Sequence, residues 1–487
     1  MSVPEIRIRT INEQPVDGDG DYVLYWMVAA RRPGWNFSLD RAVEWCNMVG
    51  KPLLVFEPLR CGYRWASDRF HRFVLQGMAD NSKEFSKHSV CYYPYVESAV
   101  GEGRGLLVEL AKKAAVVVTD DYPCFFLPRM LEAASSQIDT RFEAIDSNGL
   151  LPVRAADRTF SRAFDFRRFL QRVLPEHLAV MPSANPLKKM KSVAGASVPK
   201  KILVRWPQAT REQLAAGIDQ LAELPIDHSV DPAAFDGGFA PARRRLSKFV
   251  RSQLFEYESD RNQPDADATS GLSPHLHFGQ ISAHEVFAKI AKNEEWRLEH
   301  LSGLTSGGRE GWWGMSPAAE SFLDQLVTWR ELGFNACHHL PNYDHYDSLP
   351  DWAKKTLGNH ASDPRPVVYE LDDLERATTH DEIWNAAQRQ LVREGRIHNY
   401  LRMLWGKKIL EWSATPQDAL DVMIELNNKY AVDGRDPNSY SGIFWVLGRY
   451  DRAWGPERPI FGKVRYMSSD NTARKLRLKE YIKRYSA

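Results

Sequence analysis

A polar loop at residues 269–273 has the residue types that bind anions. Its hydroxyls and backbone N–H groups come just before Pro274, and proline is favoured at the first position of a helix. Such groups at the start of a helix can hold a phosphate. A capped loop without any ligand explains the same composition and is the more common case. The residues concerned are Thr269, Ser270, Gly271, Leu272 and Ser273.

Aromatic side chains at helical spacing form a second candidate site. Gln325 and Trp329 are four residues apart and share a helix face, which suits either a core or a pocket for a flat ring. Trp405 and Trp412 are seven apart and also share a face, for which a buried core stripe is the simpler explanation.

Arg402 lies in the same apolar stretch as Trp405, so it needs an acidic partner if it is buried. The following loop, VDGRDPN, offers Asp433 and Asp436. The sequence therefore predicts an Arg–Asp pair between these two segments.

An overall charge near zero hides a basic C-terminal segment. The chain has 64 Lys and Arg against 63 Asp and Glu, a net charge of +1. Residues 447–487 hold 11 Lys and Arg against four Asp and Glu, a local charge of +7, with aromatic residues interleaved. Basic charge beside aromatic rings is typical of surfaces that bind nucleic-acid backbones and unstacked bases. A solvated basic face explains the charge about equally well.

No pattern in the sequence suggests a metal site or a membrane anchor. The five cysteines form no CxxC pair, and His275, His277, His338 and His339 lack an HExxH spacing. The N-terminus has no apolar signal core, and the apolar run at 23–30 is shorter than the roughly 20 residues that span a bilayer. We therefore expect a cytoplasmic protein without metal, with access to DNA and placed in the nucleoid if bacterial.

The elements that must position these residues change character along the chain. The 487 residues are 43% hydrophobic and 26% charged, which predicts two to three globular domains. Buried apolar runs at 22–30, 52–57, 89–93, 114–120 and 142–145 alternate with helical stretches. This alternation predicts a parallel sheet with helices on both faces. The first helix is expected to be capped by Ser38 and to end at Gly50.

The second half of the sequence is mostly helical. Residues 183–205 combine Pro, Ser, Gly and Lys without an apolar period, which predicts a linker. One helix is expected over 210–224, and another, capped by Thr415 with Pro416, runs to about residue 428. The predicted fold is an α/β domain over 1–182, a linker over 183–205 and a larger all-α domain over 206–487.

Five motifs in one order make the sequence resemble the photolyase/cryptochrome family over nearly its whole length. The resemblance is strongest to the class II cyclobutane pyrimidine dimer (CPD) photolyases. It implies an antenna-type first domain and a helical domain that binds FAD and DNA. Such enzymes use reduced FAD to absorb blue light and pass an electron to a flipped-out dimer, which splits and returns the electron. The motifs are ATSGLSPHLHFGQIS (268–282), FLDQLVTWREL (322–332), YLRMLWGKKILEWS (400–413), LNNKYAVDGRDPNSYSGIFW (426–445) and DRAWGPERPIFGKVRYMS (451–468).

The resemblance also implies which residues hold the cofactor. The loop 269–273 matches the segment that holds the flavin pyrophosphate. An Arg–Asp pair beside the flavin ring would stabilise negative charge on it. The other positions that match flavin contacts or lie beside them are Tyr257, Asn399, Arg402, Asp433, Asp436 and, facing flavin N5, Asn427.

Three tryptophans match the electron-transfer chain of class II enzymes. Trp405 would be proximal to the flavin, Trp384 in the middle and Trp412 distal, carrying electrons from the surface to oxidised flavin. Indole suits this role because its ring packs rigidly and its radical cation is accessible.

The remaining matches concern damaged DNA, the expected partner. Trp329 and Trp445 match the walls of the dimer pocket, and Met403 lines it. A loop would fill the gap that the flipped dimer leaves, and basic residues near it would contact phosphates. The loop residues are Asp451 and Arg452, and the basic residues are Lys463 and Arg465.

Gln325 is the main departure from the class II pattern, where Glu usually contacts the dimer carbonyls. Glutamine can form a hydrogen bond but supplies neither negative charge nor a proton, so we expect a lower repair efficiency. The family also has an antenna chromophore in the first domain. Its ligands are not matched in this sequence, and its identity stays open.

Three alternatives remain beside CPD repair. The (6-4) photolyases carry Gln near this position but place two histidines where this chain has Asn399 and Met403. A light-signalling cryptochrome often has a long disordered extension, whereas this sequence ends soon after the basic segment. A nucleic-acid-binding module with a structural core would be colourless. We expect a monomer, because lesion search needs one open basic face.

Overall fold

A parallel sheet forms the centre of the first part of the computed structural model, which describes residues 2–191, 195–266 and 268–486. Among these residues the sheet has six strands in the order β1-β6-β5-β2-β3-β4. All neighbours are parallel except β1, which pairs antiparallel with β6. The strands are β1 Ile8–Thr10, β2 Tyr22–Trp26, β3 Leu53–Leu59, β4 Cys91–Val96, β5 Ala114–Asp120 and β6 Arg141–Ile145. The predicted parallel sheet is confirmed.

Helices cover both faces of this sheet, as the alternation of strand and helix signals predicts. Leu24 of β2 packs in a cluster with Leu110 and Leu131, whereas its neighbour Tyr25 packs on the opposite face with Phe37. Successive strand residues point to opposite faces, so each face contributes its own apolar cluster. The helices of this part are α1 Phe37–Val49, α2 Asp68–Phe85, α3 Leu106–Ala111, α4 Leu127–Ser135 and α5 Ala163–Leu178.

The cap of α1 differs from the prediction. Asn36, not Ser38, is the N-cap, and its side chain accepts hydrogen bonds from the backbone N–H groups of Ser38 (2.9 Å) and Leu39 (3.2 Å). Asparagine caps a helix as well as serine does, so residue type alone does not favour Ser38 over Asn36, two residues earlier. The predicted end is confirmed, because Gly50 adopts the left-handed conformation with φ of 68°.

The rest of the described chain is helical, as predicted. A π-helix, Asp324–Trp329, joins α13 to α14. The helices are α6 Lys200–Arg205, α7 Arg211–Ala215, α8 Ile218–Ala222, α9 Phe239–Ser252, α10 Tyr257–Asp260, α11 Ser273–His277, α12 Ala283–Asn293, α13 Pro317–Leu323, α14 Arg330–His339, α15 Asp351–Asn359, α16 Leu371–Glu375, α17 Glu382–Glu394, α18 Asn399–Trp412, α19 Pro416–Tyr430, α20 Pro437–Val446, α21 Ser469–Lys475 and α22 Lys479–Arg484.

Before α9, one predicted helix is wrong and the predicted linker lies only partly within the described residues. The single helix predicted over 210–224 is wrong, because Ala216 has φ of 52° and divides the segment into α7 and α8. The predicted linker contains a short 3₁₀ turn, Pro186–Lys189, and α6, while its residues 192–194 lie outside the described residues. The domain limits themselves stay predictions.

Buried polar contacts connect the sheet region to the helices that carry the candidate site. The Arg69 side chain on α2 donates to the carbonyl oxygens of Val392 (2.6 Å) and Tyr430 (2.8 Å), at the ends of α17 and α19. The Glu331 carboxylate on α14 accepts from the backbone N–H of Leu150 (2.7 Å) and Leu151 (2.9 Å). Burial raises the pKa of Glu331 to about 7. These contacts fix the site helices against the first part of the chain.

Candidate functional site

A polar cavity of about 520 Å³ lies within the helical part. Its size is in the range of small-molecule and cofactor sites. Residues from α9, α10, α11, the π-helix and α18 line it, which brings together segments that are far apart in sequence. Ten residues predicted from the sequence are among its lining: Tyr257, Thr269, Ser270, Gly271, Leu272, Ser273, Gln325, Asn399, Arg402 and Asp433.

The loop 269–273 is held in place by Arg245 on α9. Its guanidinium donates to the carbonyl oxygens of Ser270 (2.6 Å) and Thr269 (2.9 Å). Gly271 has φ of 64°, and a Cβ there would lie 2.8 Å from the Arg245 Nε atom. Glycine is therefore required for this close approach. Arg245 was missed in the sequence, where the run Arg243–Arg244–Arg245 looks like an exposed basic helix face.

Arg402 and Asp433 form the ion pair that the sequence predicts. The Arg402 Nη2 atom lies 3.1 Å from Asp433 Oδ1, with the two side chains 17% and 13% exposed. The Arg402 Nε atom is buried and has no hydrogen-bond partner among the described residues. A buried donor without a partner is costly. The cavity therefore offers a free hydrogen-bond donor beside a compensated charge, which fits a planar ligand with acceptor atoms, such as a flavin ring.

Asp436, the other predicted partner of Arg402, lies elsewhere. It caps α20 by accepting from the backbone N–H of Asn438 (2.9 Å), and it also accepts from the Tyr122 hydroxyl (3.1 Å). Burial alone would raise the pKa of Asp436, but the hydrogen bond and charge of His277 hold it below its usual value. Asp436 is not among the residues that line the polar cavity. Of the two candidate partners, Arg402 therefore pairs with Asp433 and not with Asp436, whose predicted place at the cofactor site stays a prediction.

Asn427 also lies outside the cavity lining, on the buried side of α19. Its side-chain amide donates to Ser439 Oγ (2.9 Å) and to Asn428 Oδ1 (3.1 Å). Both amide hydrogens are thus used by the protein, which fixes the orientation of the amide plane. Its predicted contact with the flavin stays a prediction.

The pair Gln325 and Trp329 is carried by the π-helix, a type of turn found often at functional sites. Both side chains are half-buried, and Gln325 lines the polar cavity. Asp324 anchors this turn, because its carboxylate accepts from Arg167 Nε at 2.7 Å. The wider turn was not predicted, since the one-letter pattern is the same for α- and π-helices.

The three tryptophans of the predicted electron-transfer chain are buried and adjacent. The rings of Trp384 and Trp412 have centroids 5.5 Å apart. The Trp384 indole N–H donates to the Trp405 carbonyl oxygen at 3.0 Å, and the Trp405 indole N–H donates to Gln388 Oε1 at 2.8 Å. Trp384 therefore contacts both of the others, and its role as the middle member of an electron-transfer chain stays a prediction.

The outer end of this series is not at the surface. Trp412 is only 1% exposed. The Tyr369 and His380 rings cover it, with centroids 5.4 Å and 5.3 Å from the Trp412 ring. Tyr369 is half-buried and His380 is exposed, so these two rings, which the sequence did not single out, separate Trp412 from solvent.

A second, aromatic cavity of about 390 Å³ contains residues predicted to contact a DNA lesion. Met403, Trp445 and Arg465 line it together with Trp454. Trp329, the other predicted wall, is not among its lining residues. We call this space the aromatic cavity.

Asp451 organises the edge of the aromatic cavity. Its carboxylate accepts from Arg465 Nε (2.9 Å) and from the Trp454 indole (3.1 Å). Arg465 is therefore paired with a carboxylate, and its predicted phosphate contact stays a prediction. Arg452 and Lys463 are exposed. The predicted phosphate contact of Lys463 stays a prediction.

Within the described ranges, no three His, Cys, Asp or Glu side chains converge as metal ligands would. Among the helices of the described residues, none has both the length and the apolar content needed to cross a bilayer.

Comparison with known proteins gives full-length relatives. The chain is 34% identical over 479 residues to the deoxyribodipyrimidine photo-lyase of Methanothermobacter thermautotrophicus, covering 98% of this chain and 97% of the relative. It is 32% identical to the protein of the same name from Arabidopsis thaliana, covering 99% and 93%. The class III photolyase of Agrobacterium tumefaciens has the same fold, with a TM-score of 0.65, 18% identity and coverage of 96% and 86%. No model of a known protein family matches the chain.

Proposed function

The chain belongs to the photolyase/cryptochrome family, and we propose that it is a photolyase that repairs cyclobutane pyrimidine dimers in DNA. One observation carries the proposal: the first turn of α18 borders both cavities. Asn399 and Arg402 line the polar cavity, while Tyr400 and Met403 line the aromatic cavity. A cofactor in the first space and a base in the second would thus be neighbours, as light-driven electron transfer requires.

FAD is the cofactor that the polar cavity fits, and in its reduced form it would supply an electron on absorbing blue light. The loop 269–273 offers hydroxyls and backbone N–H groups for phosphates. Arg402 offers its free Nε donor, and Asp433 compensates its charge. Tyr257 adds an aromatic ring to the lining of the cavity.

The aromatic cavity supplies what a flipped-out dimer needs. Trp445 and Met403 give an apolar surface on which bases can stack, at about 1–3 kcal/mol per base. The Gln325 amide, on the polar side, can donate a hydrogen bond to a base carbonyl. The exposed Lys463 adds positive charge for the DNA backbone.

The buried tryptophans would keep the cofactor reduced. Trp384 on α17 contacts both tryptophans of α18: its ring packs against that of Trp412, and its indole N–H donates to the Trp405 carbonyl oxygen. All three rings are buried, and the indole N–H groups of Trp384 and Trp405 are hydrogen-bonded, so their spacing is fixed. They are therefore suited to deliver electrons and not to bind a ligand.

A third cavity supports the presence of an antenna chromophore. This space of about 110 Å³ lies at the carboxyl ends of β2 and β3, where ligands of parallel sheets bind. Tyr63, Phe125 and Phe126 line it together with Arg435, whose buried Nη2 atom has no hydrogen-bond partner among the described residues. These groups suit a flat aromatic molecule with an acceptor or negative charge, whereas the space itself is smaller than the roughly 300 Å³ of a typical ligand pocket. Protein from the native source should then show an absorption band besides those of the flavin, and its absence would count against the antenna.

Defined lesions test the proposed function against its alternatives. The holoprotein with chemically reduced flavin is illuminated with oligonucleotides that contain one CPD or one (6-4) lesion. We expect repair of the CPD alone. Repair of the (6-4) lesion alone would favour that class, flavin binding without any repair would favour a cryptochrome-type photoreceptor, and a protein without flavin would favour a plain DNA-binding module. The cytoplasmic location and the monomeric state stay predictions.

A further inference from the structure

Lys407 on α18 is a fully buried lysine that forms no ion pair with any described residue. It is 0% exposed, and its Nζ atom donates to the Val446 carbonyl oxygen at 2.5 Å. The same Nζ atom lies 5.1 Å from the centroid of the Trp445 ring. A buried ammonium without a carboxylate is costly to fold. Its presence directly behind a wall of the aromatic cavity calls for a functional explanation.

The contacts of Lys407 control where Trp445 lies. Trp445 and Val446 form the last turn of α20, whose carbonyl groups lack helical partners. The ammonium bonds one of these carbonyls, and a cation is favourable at this end of a helix. The helices approach closely here, since a Cβ on Gly406 would lie 2.5 Å from the Val446 side chain. Lys407 therefore fixes the position of the turn that carries Trp445.

Two cationic side chains, Lys407 and Arg465, lie close to the Trp445 ring in different surroundings. Arg465 lies 5.5 Å from the ring centroid, but Asp451 compensates it. Burial lowers the pKa of Lys407 to about 7, Asp451 opposes this change and Arg465 adds to it. Arg465 is thus ion-paired, whereas Lys407 forms no ion pair with any described residue and changes charge near neutral pH.

We propose that Lys407 is a positioning residue for Trp445, which holds this wall of the aromatic cavity in place for a dimer while its ammonium is charged. This inference rests on the proposed function. Attraction between a cation and an indole ring requires the charge. Loss of the proton leaves only the weaker hydrogen bond of a neutral amine to Val446. Dimer recognition should therefore weaken as the pH rises through neutrality.

Binding in the dark tests the proposal without any photochemistry. The affinity of the holoprotein for oligothymidine is measured with and without UV-induced dimers, between pH 6 and pH 9. For the wild type we expect the preference for dimers to fall by about three- to tenfold over this range. Lys407→Met should show the weaker preference at every pH. Lys407→Arg, which stays charged, should keep the preference at pH 9.

Lys408→Met is the matched control. Lys408 is the next residue on α18 and lies 5.3 Å from the Trp412 ring, but Glu411 pairs with it at 2.7 Å. This variant should bind dimers with the wild-type pH profile. His360, which pairs with Asp363 and Glu457, is a further titratable group, close to the loop that carries Glu457. It is present in every variant, so the difference between profiles isolates Lys407.

The outcomes separate this inference from the proposed function. A wild type without any preference for dimers contradicts the proposed function. A wild type that prefers dimers, with a Lys407→Met variant of equal preference and equal pH profile, overturns the role of Lys407. If Lys407→Met does not fold, the comparison of wild type with Lys407→Arg decides: identical profiles overturn the proposal, and a flat Lys407→Arg profile supports it.

Discussion

Replacing Lys407 with methionine should stabilise the protein in acid. Methionine keeps an unbranched side chain of similar length without the charge. The pKa of Lys407 is about 7 in the folded protein, against 10.5 for a lysine in solution. At a pH where Lys407 is charged in both the folded and the unfolded protein, this difference means that its charge destabilises the folded state by about 5 kcal/mol. The variant leaves the Val446 carbonyl without its donor, which costs about 1–3 kcal/mol. At pH 6 the variant should therefore be about 2–4 kcal/mol more stable.

This advantage should disappear in alkali. Between the folded pKa of about 7 and the unfolded value of 10.5, the unfolded chain binds a proton at Lys407 that the folded protein does not. Wild-type stability therefore rises with pH in this window, by about 3 kcal/mol from pH 6 to pH 9. The methionine variant lacks this contribution, so the two proteins should be nearly equally stable at pH 9.

Urea unfolding of both holoproteins at pH 6 and pH 9 measures the effect. Circular dichroism follows the transition, and equal m-values show that both proteins expose the same amount of surface when they unfold. A variant that is less stable than the wild type at pH 6, or a stability difference that does not change with pH, would refute the reasoning. Either result would mean that the ammonium is better accommodated than its burial indicates.

Four further predictions concern the cavities and their surroundings. Gln325→Glu should raise the quantum yield of dimer repair. An unchanged or lower yield contradicts the expectation that glutamine at this position lowers repair efficiency. Trp384→Phe should strongly slow the light-driven reduction of oxidised flavin, while the chemically reduced variant repairs at the wild-type rate; wild-type photoreduction would exclude this path. Asp433→Asn leaves the charge of Arg402 uncompensated, so spectroelectrochemistry should find the flavin potential more positive by roughly 30–60 mV, not unchanged or lower. Lys463→Ala should reduce the slope of log affinity against log salt by about 1 for damaged DNA, and an unaltered slope argues against a phosphate contact.

The sequence predicted the parts of the site that local pattern and charge pairing determine. A buried arginine needs a carboxylate, so the pairing of Arg402 with a residue of the loop 433–436 was predictable. The choice between Asp433 and Asp436 was not, because Arg435 between them has φ of 61°, and this left-handed turn sends the two side chains to different places. Spacing in sequence carries no information about such a turn.

Residues whose role depends on tertiary burial were missed for a related reason. Lys407 and Lys408 are adjacent and chemically identical, yet one is buried without a carboxylate and the other pairs with Glu411. Arg245 likewise looks like part of an exposed basic run until the loop 269–273 packs against it. The short strand β1 was missed because three residues give no measurable alternation. These features depend on which elements pack together, which the local pattern does not contain.

The number of dimers split per flavin tests the central claim most directly. Holoprotein with chemically reduced flavin is mixed anaerobically with an excess of UV-irradiated oligothymidine, without further reductant, and absorbance recovery near 260 nm is followed in blue light and in the dark. We predict that each flavin splits many dimers in light and none in the dark, while the flavin stays reduced, because the electron returns after each event. No recovery in light, equal recovery in the dark, or a stop after one dimer per flavin would contradict the account.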